Sequence, residues 1–355
     1  MSRENNTQTS GINRADVGRD AFLKSMLIAE DIMNTDFETL TMDHSVGACL
    51  RFMKANKVRH ALVIDPPNES YDSSLFIGVV SQRDVLRLNR QVNRQEEMEN
   101  AEVDSKALRQ KIGQVVARNP KSADLETPLP EVITMMIDNH IDIIPVLSGS
   151  TLKGIITTTD VLKLFSKLDD AIRQLSPEAK KNMAPEELLS VCTGRARFLL
   201  SSIYRPVEKI MTKEVICLGP ENILAEAINA MQAEEFRHIL VTDEQGKLIG
   251  IVSDRDVLRH LPFAGKRPPR ESKVFRSHLF RAEYDEFELG RTLGTIMTKS
   301  VTHVSPGFSV IEVAGTLVKM KVGSMGVVDG ETICGIVTVI DLMRTLLEVY
   351  SKDES

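Results

Sequence analysis

Gly250-Ile251-Val252-Ser253-Asp254-Arg255-Asp256 is one of four stretches of this chain that share a single plan. Each has a glycine, apolar β-forming residues, a serine or threonine and, three positions after that hydroxyl residue, an aspartate. The other copies are residues 78–84, 154–160 and 335–341. A βα unit that recurs in this way is typical of a repeat protein, so the repeat predicts the architecture before any single residue is interpreted.

The sequence around the third copy shows the whole repeat. A short strand is predicted at 214–218, followed by a helix whose apolar residues Ile223, Ala227 and Met231 share one face. Apolar runs at 238–242 and 248–252 then predict a strand pair, and the motif begins a second helix. The predicted fold class is α+β, with βαββα repeats. Four repeats cover their open sheet faces most simply by pairing into two modules.

The same pattern predicts where the repeats begin and end. The predicted ranges are a polar N-terminal tail at 1–25, repeats at 26–88, 111–165, 206–261 and 292–350, a charged insert at 89–110, an inter-module linker at 166–205 and a basic insert at 262–291. The basic insert carries lysines and arginines around two prolines. This run is either a solvated loop or a flap over a bound phosphate, and both interpretations stay open.

Composition favours some classes of partner over others. The net charge of −6 favours neither nucleic acid nor an anionic membrane as a partner. No apolar run approaches the ~18 residues of a membrane span, so we expect a cytoplasmic protein. The four cysteines show no CxxC spacing and are expected to be free thiols. No catalytic residue and no metal ligand is predicted.

Three features together resemble the CBS domain, named for cystathionine β-synthase. They are Met-Thr before the first strand (Met211-Thr212, Met297-Thr298), Arg-His at the second strand (Arg59-His60, Arg237-His238) and the closing motif in all four copies. The second repeat departs from this pattern, with Val115-Val116-Ala117 in place of Met-Thr. In its number of repeats the chain is also similar to the gamma subunits of AMP-activated protein kinase.

The resemblance implies two Bateman modules, each a pair of CBS repeats with a cleft between them. It also implies regulatory binding of adenosine-containing ligands, namely AMP, ADP, ATP or S-adenosylmethionine, with no cofactor used as a catalyst. The expected protein partner is a second copy of the chain, forming a homodimer, or a different protein.

Two roles are open for the motif hydroxyl and aspartate. As a helix capping box, the hydroxyl and the carboxylate would satisfy backbone N–H groups, although a capping box favours Glu or Gln over the shorter Asp. As a ligand site, the carboxylate would accept hydrogen bonds from both ribose hydroxyls. The motif glycine would then leave room for a flat ring. Aliphatic side chains after the glycine would pack on the base: Val79, Ile155, Ile251 and Ile336.

In the family, the aspartate corner of one repeat faces the second strand of its partner. Carried over to this sequence, the facing sets are Asp160 and Thr157 with Val58-Arg59-His60, Asp341 and Thr338 with Phe236-Arg237-His238, Asp84 and Ser81 with His140-Ile141-Asp142, and Asp256 and Ser253 with Val322-Gly323-Ser324. The first two corners combine an arginine with a histidine, so we expect the Asp160 and Asp341 corners to bind a phosphorylated ligand best. In the third corner Asp142 would repel an anion, and the fourth is uncharged.

The favoured function is therefore a non-catalytic adenine-nucleotide sensor that signals to a partner. One alternative is an oligomerisation scaffold with empty clefts. Another is a protein related to IMP dehydrogenase, which would need roughly 200–250 further residues for a barrel.

Overall fold

The structure, a computed structural model, describes residues 27–56, 58–66, 74–81, 84, 109–175, 183–192, 194–233, 236–254, 256–257, 263–264, 283–284, 289–299 and 301–351. The predicted N-terminal tail, nearly all of the charged insert at 89–110 and the basic residues of the insert from Lys266 to Arg281 lie outside the described residues. The two interpretations of the basic insert, a solvated loop and a flap over a bound phosphate, therefore stay predictions from the sequence.

The described helices and strands follow the predicted order. The helices are α1 (Ala29–Ile32), α2 (Val46–Ala55), α3 (Leu129–Asn139), α4 (Thr158–Leu175), α5 (Pro185–Val191), α6 (Gly194–Ile203), α7 (Leu224–Ala233), α8 (Leu293–Ile296), α9 (Val310–Met320) and α10 (Val339–Ser351). The strands are β1 (Thr39–Thr41), β2 (His60–Asp65), β3 (Leu75–Ser81), β4 (Ala117–Arg118), β5 (Ala123–Asp124), β6 (Ile143–Ser148), β7 (Thr151–Thr157), β8 (Cys217–Leu218), β9 (His238–Thr242), β10 (Leu248–Ser253), β11 (Phe263–Ala264), β12 (Glu283–Tyr284), β13 (Thr298–Lys299), β14 (His303–Val304), β15 (Ser324–Asp329) and β16 (Thr332–Thr338).

Each repeat has a short strand that runs parallel to the first strand of a longer antiparallel pair. The four sets are β1-β2-β3, β5-β6-β7, β8-β9-β10 and β14-β15-β16. A helix lies between the short strand and the pair, as in α7 between β8 and β9. The predicted α+β class is confirmed.

Paired repeats exchange the segments that open them. β4, which opens the second repeat, pairs with β3 of the first, and Asn34 of the first repeat forms a bridge with Ile155 of the second. The second module repeats this exchange: β13 pairs with β10, and Thr212 forms a bridge with Ile336. Each opening segment therefore belongs to one repeat in sequence and to its partner in structure.

This exchange explains the motif glycines, and it corrects the expectation that they leave room for a flat ring. A Cβ on Gly154 would lie 2.5 Å from Met33 Sδ, and one on Gly335 would lie 2.5 Å from the Thr212 carbonyl oxygen. A Cβ on Gly78 would meet the backbone of Ala117 in the same way. The space beside each of these glycines is filled by the partner's opening segment.

The two modules join through the helices of the second and fourth repeats. α3 and α4 pack against α9 and α10 around one core, in which Phe165, Leu168, Leu317 and Leu346 are almost completely buried. The first and third repeats have separate cores.

The span 166–205, predicted as a linker, contributes to the core that joins the modules. It contains the second half of α4 together with α5 and α6. Leu188, Leu199 and Ile203 from this span are fully buried in that core. Residues in this part of the chain therefore fix how the modules sit together. Within the described residues, no helix is long and apolar enough to cross a membrane.

Candidate functional site

A cavity of about 770 Å³ lies where the two modules meet. From the first module, Val58, Arg59, His60, Ile155 and Thr157 line it, which is most of the predicted Asp160 corner. From the second module, the lining includes the predicted Asp341 corner: Phe236, Arg237, His238, Ile336, Thr338 and Asp341. The two corners expected to bind phosphorylated ligand best therefore open into the same space.

The apolar part of the wall comes from the helix contact between modules. Met136 and Leu162 contribute from α3 and α4, and Leu317, Val318 and Met343 contribute from α9 and α10. Any change in how these helices pack alters the shape of the cavity, because close-packed interiors transmit displacement.

Two arginines cross from one module to the other at this cavity. Arg59 Nη2 donates to the carbonyl oxygen of Lys321 at 2.6 Å, and Arg237 Nη2 donates to that of His140 at 3.4 Å. Lys321 ends α9 and His140 ends α3, both in the left-handed conformation, with φ of 55° and 52°. Each arginine thus connects an open corner of one module to a helix end of the other, with approximate twofold symmetry.

All four motif aspartates form the helix cap. The backbone N–H of the hydroxyl residue donates to Oδ2 of Asp84, Asp160, Asp256 and Asp341 at 2.9, 3.1, 2.9 and 2.8 Å. The shorter side chain of Asp therefore makes the contact that was expected to favour Glu. In every copy the backbone N–H bonds to Oδ2, so capping and ligand binding are compatible.

Of the four motif aspartates, Asp341 is the one that lines the cavity. It is 9% exposed, and burial raises the pKa of this carboxyl. Hydrogen bonds from the side chain and backbone of Thr338, and the charge of Arg344, act in the opposite direction. A partly desolvated carboxylate at a cavity wall gains more from a hydroxyl donor than one in water does.

Asp160 has a different environment. Its Oδ1 accepts a hydrogen bond from Lys163 Nζ at 3.0 Å, and its side chain is 16% exposed. Asp160 is not part of the cavity lining, whereas Thr157 and Lys163, both bonded to it, are. The Asp160 corner is thus covered by a lysine.

The other two predicted corners are not assembled at this cavity. Ser81, Asp84, Ser253, Asp256 and Ile251 are not among its lining residues. Val79 is 7% exposed and packs with Leu62 and Ile143 where the two sheets of the first module meet. Residues expected to face Asp84 and Asp256 do line the cavity, among them His140 and Asp142 before β6 and Val322 and Gly323 before β15.

Sequence reasoning missed several charged side chains of the cavity. Lys163 and Arg344 line it, each three residues after its motif aspartate, as do Glu214 and Asp254. A signal for the cations was present, because all four copies carry a basic residue at that position: Arg87, Lys163, Arg259 and Arg344. The carboxylates show no recurrent pattern.

The described residues contain no group of His, Cys, Asp and Glu side chains that would hold a metal ion. Among the described residues, none of the four cysteines forms a disulfide.

Comparison with known proteins gives a family-level match. A CBS domain model matches residues 29–90, 112–167, 207–262 and 293–348, together more than half of the chain. The uncharacterized protein MJ1404 of Methanocaldococcus jannaschii is 21% identical over 321 residues, which cover 90% of this chain and 62% of that protein. The chain therefore spans less than two thirds of that relative.

Two solved structures resemble the chain to different extents. MJ1225 of the same organism, described as a proposed archaeal homologue of g-AMPK, has a TM-score of 0.58 at 18% identity, covering 90% of this chain and 100% of that one. CBSX2, solved in complex with AMP, is 21% identical and covers 41% of this chain and 98% of that one, with a TM-score of 0.32. The first of these shares the fold over nearly the whole chain.

Proposed function

The chain belongs to the CBS domain family, and we propose that it is a non-catalytic regulatory protein that binds adenosine-containing ligands between its modules and signals to a partner protein. One observation carries the proposal. The cavity of about 770 Å³ brings two corners together, and each combines an arginine, a histidine, a hydroxyl and an aliphatic face. This volume lies within the roughly 300–1,000 Å³ of small-molecule sites.

The chemistry of each corner suits one part of a nucleotide. Ile155 and Ile336 present apolar surface to a base, and the Asp341 carboxylate suits a sugar diol. Arg59 and Arg237 suit a phosphate, because the guanidinium group donates hydrogen bonds in a planar fork. AMP, ADP, ATP and S-adenosylmethionine share the adenosine part, and the charged end distinguishes them.

The two arginines also supply a route from ligand to signal. A phosphate in the cavity would compete with the Lys321 and His140 carbonyls for Arg59 and Arg237. A ligand shifts a conformational equilibrium only by its differential affinity for the two states. An arginine that must break its bond to the opposite module in order to bind phosphate provides such a difference in affinity. The partner protein would then bind differently to the module arrangement that results.

The test is thermal unfolding and calorimetry of the full chain with AMP, ATP and S-adenosylmethionine. A ligand at about 100 times its Kd should stabilise the fold by about 2.7 kcal/mol. Asp160→Ala and Asp341→Ala should each weaken binding, and Asp84→Ala is the matched control, since it removes the same cap outside the cavity. No response to any of the three ligands would favour the empty scaffold over the sensor.

A further inference from the structure

A basic residue follows each motif aspartate by three positions, on the next turn of the same helix. Two of these residues, Lys163 on α4 and Arg344 on α10, line the cavity. Helical residues three apart lie on one face, so each cation is placed beside its carboxylate. The recurrence of this arrangement in both cavity corners indicates a shared role.

At the Asp160 corner, the hydrogen bonds account for both carboxylate oxygens. Oδ2 accepts the backbone N–H of Thr157 at 3.1 Å and its hydroxyl at 2.6 Å. Oδ1 accepts Lys163 Nζ at 3.0 Å. The oxygen that the cap does not use is therefore held by the lysine, and a ribose hydroxyl would have to compete with an ammonium group for it.

The lysine is placed to exchange partners. Its side chain is 52% exposed and lies at the cavity wall, and ion pairs at this degree of exposure are weak. A phosphate bears more charge than a carboxylate and has three acceptor oxygens, so it is the stronger partner for the ammonium group. A phosphorylated ligand would draw Lys163 from Oδ1, and Oδ1 would then accept the ribose hydroxyl.

The Asp341 corner carries an arginine, Arg344, at the position equivalent to Lys163. Asp341 Oδ2 accepts the backbone N–H of Thr338 at 2.8 Å and its hydroxyl at 2.7 Å. The Arg344 charge lies close enough to stabilise the ionised carboxyl against the effect of burial. Arg344 also lines the cavity, so it is a second cation for a phosphate bound there.

We propose that Lys163 makes recognition of the sugar at the Asp160 corner depend on a phosphate, with Arg344 as a second contact for that phosphate, so that the cavity selects nucleoside phosphates over unphosphorylated nucleosides. This rests on the proposed function and narrows it to the nucleotides, leaving out S-adenosylmethionine. Without a phosphate, Lys163 stays bonded to Asp160 Oδ1 and competes with a ribose hydroxyl for that oxygen. With a phosphate, the same cation becomes a ligand contact.

The experiment compares AMP with adenosine by calorimetry on the full chain. The test variant is Lys163→Met with Arg344→Met, which removes both cations and keeps the apolar stems. The matched control is Lys167→Met, an exposed position one turn further along α4 and outside the cavity lining. Lys163→Arg, which keeps the charge, should retain the wild-type preference.

The expected result has opposite signs for the two ligands. AMP should bind the double variant about tenfold or more weakly, because charge-assisted contacts are lost, while adenosine should bind up to about fivefold more tightly, because the competing cation is gone. A role in phosphate contact alone would leave adenosine affinity unchanged, and a structural role would weaken both ligands. Either of those outcomes overturns the proposal. If wild type binds S-adenosylmethionine but neither AMP nor adenosine, this inference is wrong and the proposed function stands. If it binds none of AMP, ATP and S-adenosylmethionine, the proposed function is wrong as well.

Discussion

Replacing Gly335 with alanine should destabilise the second module, because the position beside this glycine is occupied by backbone. The new Cβ would lie 2.5 Å from the Thr212 carbonyl oxygen and 3.0 Å from Met211 Sδ, whereas ordinary contacts begin at 3.4 Å. The thioether can move aside, but the carbonyl belongs to a segment whose N–H and C=O both bond to Ile336, at 2.9 Å each. The added methyl group must therefore push the exchanged segment away from β16.

The expected loss of stability is that of an overpacked position, because the added methyl group displaces a segment that is held by backbone hydrogen bonds. Overpacking of this kind costs about 1–3 kcal/mol, which should lower the thermal unfolding midpoint by roughly 2–10 °C. Because Thr212 lines the cavity, the same displacement should weaken nucleotide binding at the Asp341 corner. Thermal unfolding monitored by circular dichroism, followed by AMP titration, measures both consequences.

Gly315→Ala is the matched control, with the opposite expected sign. Gly315 is exposed within α9, and no atom lies within 4 Å of its added Cβ. Alanine should raise stability there by about 0.5–1 kcal/mol, since glycine is the poorer helix former. If Gly335→Ala unfolds at the wild-type temperature, or the two variants shift it in the same direction, the exchanged segment does not constrain this glycine as described.

Three further predictions concern the cavity. Burial raises the pKa of Asp341, so the protonated carboxyl favours the folded state. That stabilisation is fully present below the unfolded-state pKa and is lost as pH rises through the folded-state pKa. Asp341→Asn should therefore gain thermal stability relative to wild type between about pH 4 and pH 7 while binding less nucleotide; a constant difference in midpoint across that range would contradict the assignment. Arg59→Ala removes the bond to the Lys321 carbonyl and should lower the free energy of unfolding by about 0.5–1.5 kcal/mol and weaken AMP binding in calorimetry, whereas unchanged affinity would remove Arg59 from the site. Leu317→Ala, at a position 1% exposed in the core that joins the modules, should lower the free energy of unfolding in urea by about 2–5 kcal/mol, and a loss below 1 kcal/mol would mean that this core contributes little.

The sequence alone determined the repeat, the strand pairs and the helices. The predicted pair at 238–242 and 248–252 is observed as His238–Thr242 and Leu248–Ser253. Strands of this kind are set by short-range alternation and turn residues, and the capping aspartate acts within four residues of its own helix. One copy of the repeat contains all the residues that make these local contacts. Each of the four copies therefore predicts the same strands and helices.

Contacts between segments distant in sequence were decided by the tertiary structure. Nothing local to Gly335 predicts that Thr212 lies against it, and nothing near Arg59 predicts a bond to the carbonyl of Lys321. The span 166–205 was predicted as a boundary because it is the longest connection between repeats, yet its apolar residues complete the core between modules. The sequence predicted each corner separately, and only the packing of α3 and α4 on α9 and α10 opened the Asp160 and Asp341 corners into one cavity, because the relative position of two modules depends on the sum of many long-range contacts.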